Sequence, residues 1–198
     1  MSLSDRAQPR VMAQDVDVDQ LQKGANDRKR EVYWIGFLQG ALSSNRIESG
    51  EEDAILAEAD KFVEFFEDPD AADLAEDIRA RCFSGQNDFM TALENVIKEK
   101  RSEIQSAAPY SERDEVNEFL GFCAGIVCDG VILKAEAEAM LSRFHDSMVL
   151  SSSVVFRDLW RALEAALADK ILTEEESEEV RAWIALLVGD GYVDTGIP

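Results

Sequence analysis

The apolar residues recur at helical spacing along most of the chain, from Glu31 onward. No segment alternates apolar and polar residues in the way that is typical of a half-buried strand. Prolines are few, 4 in 198 residues, so little interrupts this pattern. One clear stripe is made by Phe156, Leu159, Trp160, Leu163 and Leu167. The pattern therefore predicts an all-α protein.

Helix start signals divide the pattern into about eight helices. Asp68, Ser111 and Ser152 stand where side-chain oxygens would cap free amides, and Asp68 is followed by a proline. Ser49–Glu52 and Thr173–Glu176 fit the capping box, in which a hydroxyl and a carboxylate satisfy amides reciprocally. The predicted helices span 30–43, 50–66, 69–82, 86–105, 112–128, 134–148, 152–168 and 174–188.

The chain also repeats at an offset of 85 residues. Trp34–Leu56 aligns with Phe119–Leu141, and seven of these 23 positions are identical. The repeat predicts two related helical units, 30–108 and 111–190. Both copies carry glycines four residues apart in their central helix, Gly36 and Gly40 in the first. Such a pair lets another helix approach closely, which offsets the cost of glycine in a helix.

A second offset, of 40 residues, relates two acidic turns within the C-terminal unit. The segments are Asp129–Glu136 and Asp169–Glu176. Each follows a helix and reads Asp, one residue, two apolar residues, a short gap and Glu at the next helix start. The C-terminal unit is therefore interpreted as a duplicated helical hairpin.

This doubled element, with the phrase Phe119–Gly130 before it, resembles the tellurite-resistance TerB-like family. The resemblance covers 115–190 well, and 30–105 is interpreted as a diverged second copy. It implies an all-α bundle with pseudo-twofold symmetry. It also implies a bacterial helical module, found in multidomain proteins beside BRCT and other domains.

The resemblance further implies a weak divalent-cation site for Ca²⁺ or Mg²⁺, because acidic residues of the two turns come together in the family. Carboxylate oxygens suit such hard cations. Carried over to this sequence, the metal ligands are Asp129, Glu136, Asp169, Glu175 and Glu176. The chain departs from the family at Lys170, where a glycine is usual, and at Ser44–Asn45, which replaces Asp-Gly in the N-terminal copy. That copy is not expected to bind metal.

A purely structural role explains the same acidic residues. Asp129 and Gly130 form a good turn, since glycine readily adopts the left-handed conformation at a helix end. Glu174–Glu176 favours a helix N-terminus, and Glu176 completes the capping box with Thr173. Both interpretations stay open from the sequence, and they are compatible.

Charge and cysteine content limit the partners and the compartment. Acids outnumber bases 41 to 20, giving a net charge of −21, which argues against direct nucleic-acid binding and docking on anionic lipid. Met1–Gln14 lacks the apolar stretch of a signal peptide, and Trp183–Val188 is too short to span a membrane. Three cysteines do not form a disulfide framework. We expect a cytoplasmic protein with a mobile polar arm at 1–28 and a tail or linker start at 191–198.

No constellation of residues indicates catalysis. His145 is the only histidine and is expected on a helix surface, and no phosphate-binding glycine loop is present. We therefore expect no enzyme and no cofactor beyond the cation. The resemblance favours a non-enzymatic stress-response module that binds a protein partner. The alternative is a regulatory adaptor associated with DNA-repair proteins, which would also act through protein contacts.

Overall fold

A computed structural model describes residues 18–47 and 49–189 of the chain. These residues form an all-α bundle, and no strand occurs among them. The helices are α1 Val18–Ala41, α2 Ser49–Phe66, α3 Pro69–Ala80, α4 Gln86–Ala107, α5 Glu112–Ile126, α6 Lys134–Asp146, α7 Met148–Ser152, α8 Arg157–Ala166 and α9 Glu174–Val188. The all-α prediction is confirmed. None of the described helices combines the length and apolarity needed to cross a membrane.

Local capping explains why most helix starts were predictable. Asp68 accepts a hydrogen bond from the amide of Ala71 at 2.9 Å, which begins α3. Ser111 forms a capping box with Asp114 at the start of α5, as Thr173 does with Glu176 at the start of α9. The predicted cap at Ser152 is wrong: the chain forms the short helix α7, capped by Ser147, and α8 begins five residues later.

Helix α1 begins twelve residues before its predicted start. Residues 18–28, expected in a mobile arm, are helical, whereas 1–17 and the predicted tail at 191–198 lie outside the described residues. The first turns of α1 have no continuous apolar stripe, so periodicity could not reveal them. Tertiary contacts made by Arg28 hold this part of the helix, as described below.

The bundle is organised around the crossing of α1 and α5, whose backbones touch. A methyl group placed on Gly36 would lie 1.9 Å from the carbonyl oxygen of Glu118, and one on Gly121 would lie 2.0 Å from that of Tyr33. The next turn repeats this arrangement: a methyl group on Gly40 would lie 2.2 Å from the carbonyl oxygen of Phe122, and one on Gly125 would lie 2.0 Å from that of Phe37. Each contact maps onto its counterpart by the 85-residue offset. The crossing is therefore reciprocal, and the duplication itself stays a prediction from the sequence.

A hydrophobic core lies on either side of this crossing. In the first, Trp34 of α1 stacks on Phe62 of α2 with ring centres 5.4 Å apart. In the second, Phe119 of α5 contacts Phe144 and Phe156 edge-on, at 4.8 and 5.0 Å. Residues 30–104 supply nearly all of the first core, and residues 119–184 supply the second. Each half of the chain therefore builds its own core against a shared central pair of helices.

The guanidinium of Arg28 fixes the connection between the two halves. It donates two parallel hydrogen bonds to Asp114, at 3.0 and 2.9 Å. It also donates to the carbonyl oxygens of Ile104 and Pro109, at 3.2 and 3.0 Å. Asp114 in turn caps α5 with Ser111. One side chain of α1 therefore holds the end of α4, the following linker and the start of α5.

We expect Gly36→Ala to destabilise the protein strongly. Its new methyl group would meet the backbone of Glu118, which cannot move without displacing α5. Overpacking of this kind typically costs 1–3 kcal/mol, and we expect at least about 2 kcal/mol in the free energy of unfolding measured by urea denaturation. Gly24→Ala is the control, because a methyl group at Gly24, in the same helix, meets nothing within 4 Å. Equal stabilities for the two variants would contradict the close backbone contact.

We expect Asp114→Asn to destabilise the protein in a pH-dependent way. Burial opposes ionisation, but Arg28 and the hydrogen bonds from Ser111 hold the pKa of Asp114 below its usual 3.8. A depressed folded-state pKa stabilises the protein above 3.8, and that contribution is lost as the pH falls through the folded value. The difference in unfolding free energy between wild type and variant should shrink as the pH is lowered below 3.8. A difference that is constant with pH would contradict this assignment.

Candidate functional site

The two acidic turns predicted from the sequence lie side by side. The first, Asp129–Glu136, connects α5 to α6, and the second, Asp169–Glu176, connects α8 to α9. Ser177 in the first turn of α9 donates its hydroxyl to the carbonyl oxygen of Ile132, at 3.3 Å. The start of α9 therefore packs on the middle of the first acidic turn.

Equivalent carboxylates make equivalent hydrogen bonds in the two turns. Asp129 accepts from the amide of Val131 at 2.8 Å, and Asp169 accepts from that of Ile171 at 2.9 Å. These are Asx turns, in which an aspartate binds the amide two residues ahead. The two N3 glutamates bind the N-cap residue three positions back, Glu136 to Leu133 at 2.7 Å and Glu176 to Thr173 at 2.9 Å. The structural role considered for these acids is therefore present in both turns.

The structure does not assemble the predicted cation site. Among the described residues, no group of three or more His, Cys, Asp or Glu side chains could hold a metal ion. A site for Ca²⁺ or Mg²⁺ needs about six oxygens around one point. Here the bonds to backbone amides tie the carboxylates to separate turns. The structure therefore does not gather the five predicted ligands around one point. They are Asp129, Glu136, Asp169, Glu175 and Glu176.

The start of α2 contacts the first acidic turn, which the sequence did not reveal. At the start of α2, a methyl group on Gly50 would lie 3.2 Å from the side chain of Asp129. Burial raises the pKa of the Cys128 thiol, and the carboxylates of Glu51, Asp129 and Glu136 raise it further. Since this thiol stays protonated at neutral pH, Cys128 acts as a packing residue rather than a nucleophile.

Large apolar side chains project from both turns into solvent. The exposed fractions are 53% for Val131, 40% for Leu133 and 62% for Ile171. Ile132 between the first two is 4% exposed and packs in the second core. The extended segment thus alternates out, in and out, which is the general geometry of extended chain. We call these three apolar residues, with the flanking carboxylates Asp129, Asp169, Glu174 and Glu175, the turn face.

A polar cavity of about 460 Å³ on another side of the bundle was also missed by sequence reasoning. Glu118 of α5 accepts from Arg101 at 2.5 Å and from the hydroxyl of Tyr110. Arg143 of α6 lies 3.7 Å from the same carboxylate and stacks over the ring of Phe122 at 3.8 Å. The residues that line the cavity include neither His nor Cys. Glu118 is paired with Arg101 and Arg143, so these three side chains join α4, α5 and α6.

Comparison of the chain with family models, with curated proteins and with solved structures finds no match. The resemblance to the TerB-like family therefore stays a prediction from the residues of the acidic turns. The candidate site rests on the geometry of the turn face alone.

We expect Glu176→Ala to lower the free energy of unfolding by about 1 kcal/mol, the usual cost of losing a cap. Glu176 accepts from both the amide and the hydroxyl of Thr173, at 2.9 and 2.7 Å. The control is Glu175→Ala at the neighbouring exposed position, which we expect to change stability by less than about 0.5 kcal/mol. Urea denaturation measures both.

The same pair of variants separates capping from metal binding, because both residues are predicted ligands. If both carboxylates bound Ca²⁺, millimolar Ca²⁺ would raise the melting temperature of the wild type, and either substitution would reduce that increase. We expect no such increase. Its appearance would show that the cation-site prediction is correct and that these acids do more than cap α9.

Proposed function

We propose that this chain is a non-enzymatic protein-interaction module whose docking surface is the turn face. The observation that carries the proposal is the exposure of Val131, Leu133 and Ile171 on two adjacent turns. Exposed apolar residues with a polar rim are typical of protein-protein contact sites. The three side chains are flanked by carboxylates, which provide such a rim.

The turns are well suited to binding because their backbone is already fixed. The Asx turns and N3 glutamates hold each extended segment, and Ile132 and Leu172 anchor the segments in the second core. A partner that docks on fixed side chains does not need to order a loop, so less of the interaction free energy is lost. Binding residues on loops held by a rigid scaffold are a common arrangement.

The resemblance to the TerB-like family favours a role in a stress response, and the sequence of Met1–Gln14 and the three cysteines favour the cytoplasm. We propose the same stress-response role for this chain. We do not include a bound cation in the proposal, since the carboxylates of the turns do not fit a Ca²⁺ or Mg²⁺ centre. The net charge of −21 favours a protein partner over a phosphate backbone.

Selection from a library of short random peptides displayed on phage, with the whole chain immobilised, tests this function. We expect the enriched peptides to bind Val131→Ser/Ile171→Ser at least about tenfold more weakly than wild type. Each buried aliphatic side chain contributes about 1.5–3 kcal/mol, and 1.4 kcal/mol is tenfold in affinity.

The matched control is Val154→Ser/Val155→Ser, which removes two valines that are 69% and 55% exposed outside the turn face. We expect this variant to bind the peptides as wild type does. Melting curves of both variants establish that they fold. Peptides that lose binding to the control variant, and not to the turn-face variant, would overturn the proposed site.

A further inference from the structure

We infer that the turn face takes a basic, amphipathic protein segment, in which Lys or Arg residues stand between large apolar ones. This inference rests on the proposed function and specifies the chemistry of the partner.

The apolar residues set the first requirement. Val131 and Ile171 occupy equivalent places in the two turns, one residue after each Asx-turn centre, and both are more than half exposed. Their amides already donate within the turns and are not available to a partner, so the exposed side chains are the main contact that these residues offer. A segment that covers both must carry large apolar side chains of its own.

The charges set the second requirement. The segments Asp129–Glu136 and Asp169–Glu176 contain six carboxylates and two lysines. Glu136 is buried, which leaves five carboxylates against the exposed Lys134 and Lys170. One of those lysines, Lys134, is paired with Glu138 at 3.2 Å, so it does little to offset the carboxylates of the face. A neutral or acidic segment would bring no compensating charge to this surface, whereas a basic one would be attracted to it.

The arrangement of the carboxylates favours a chain of cations over a single ion. Asp129 and Asp169 each use Oδ1 in their Asx turn, and a carboxylate has a second oxygen with which to accept from an ammonium or guanidinium. Glu174 and Glu175 lie in the first turn of α9, which packs on the segment that carries Val131. Carboxylates therefore flank the apolar residues from both turns, where separate basic side chains of one peptide can reach them.

The test uses the peptides selected on the wild-type chain and two charge variants. Asp129→Asn/Asp169→Asn removes two charges from the face, while the asparagine oxygen can still accept in the Asx turn. Asp73→Asn/Glu76→Gln removes two charges from exposed positions on α3 and serves as the matched control. Fluorescence anisotropy of labelled peptides gives the affinities at low and at high salt.

We expect the selected peptides to be rich in Lys and Arg and to bind the face variant about fivefold more weakly at low salt. The deficit should shrink at high salt because exposed charge pairs are screened. The control variant should bind as wild type, and replacing the Lys and Arg of a peptide with Gln should abolish the difference between wild type and the face variant.

The two proposals fail in distinguishable ways. Neutral peptides that bind wild type and the Asp129→Asn/Asp169→Asn variant equally, but lose affinity for Val131→Ser/Ile171→Ser, would overturn the basic partner and leave the docking surface in place. If the α3 control variant lost as much affinity as the face variant, the effect would come from the net charge of the protein. That result would also overturn the inference. Peptides that bind the Val131→Ser/Ile171→Ser variant with the same affinity as wild type would overturn both proposals.

Discussion

Four glycines allow the backbones of α1 and α5 to touch, and this contact sets the positions of the other helices. A side chain at any of the four would meet a carbonyl oxygen of the facing helix at 2.2 Å or less. Because the helices approach so closely, the large residues beside the glycines must point away from the crossing. Trp34 therefore lies in the core on one side and Phe119 in the core on the other. Glycine within a helix is destabilising, but here it allows two cores to form on one central pair of helices.

The acidic turns illustrate how one set of carboxylates can serve structure and still shape a surface. Each capping bond satisfies an amide at a helix start, which fixes the extended segment before it. The fixed backbone then leaves Val131 and Ile171 in solvent while Ile132 and Leu172 pack inward. The negative charge remains on the surface because hydrogen bonding to an amide does not neutralise a carboxylate.

Features fixed by neighbours in the sequence could be predicted, and features fixed by distant contacts could not. The starts of α3, α5 and α9 depend on caps within three residues, so the sequence reveals them. The first half of α1 depends on bonds from Arg28 to residues more than seventy positions away. The polar cavity at Glu118 likewise needs side chains from separate helices and the linker. The spacing of the acids alone could not show that the aspartates and the N3 glutamates bind amides of their own turns.

The bonding of Arg28 has a consequence for the order in which the chain can fold. The groups that it holds are supplied near residues 104–114, and the glycines that α1 needs lie at positions 121 and 125. During synthesis, α1 therefore emerges long before α5, and its four-residue-spaced glycines stay uncovered until α5 has left the ribosome. Contacts of such high sequence separation slow folding, since a long loop must close first. The two halves thus build separate cores but depend on each other in assembly, because α1 lacks its closest packing partner until the second half arrives.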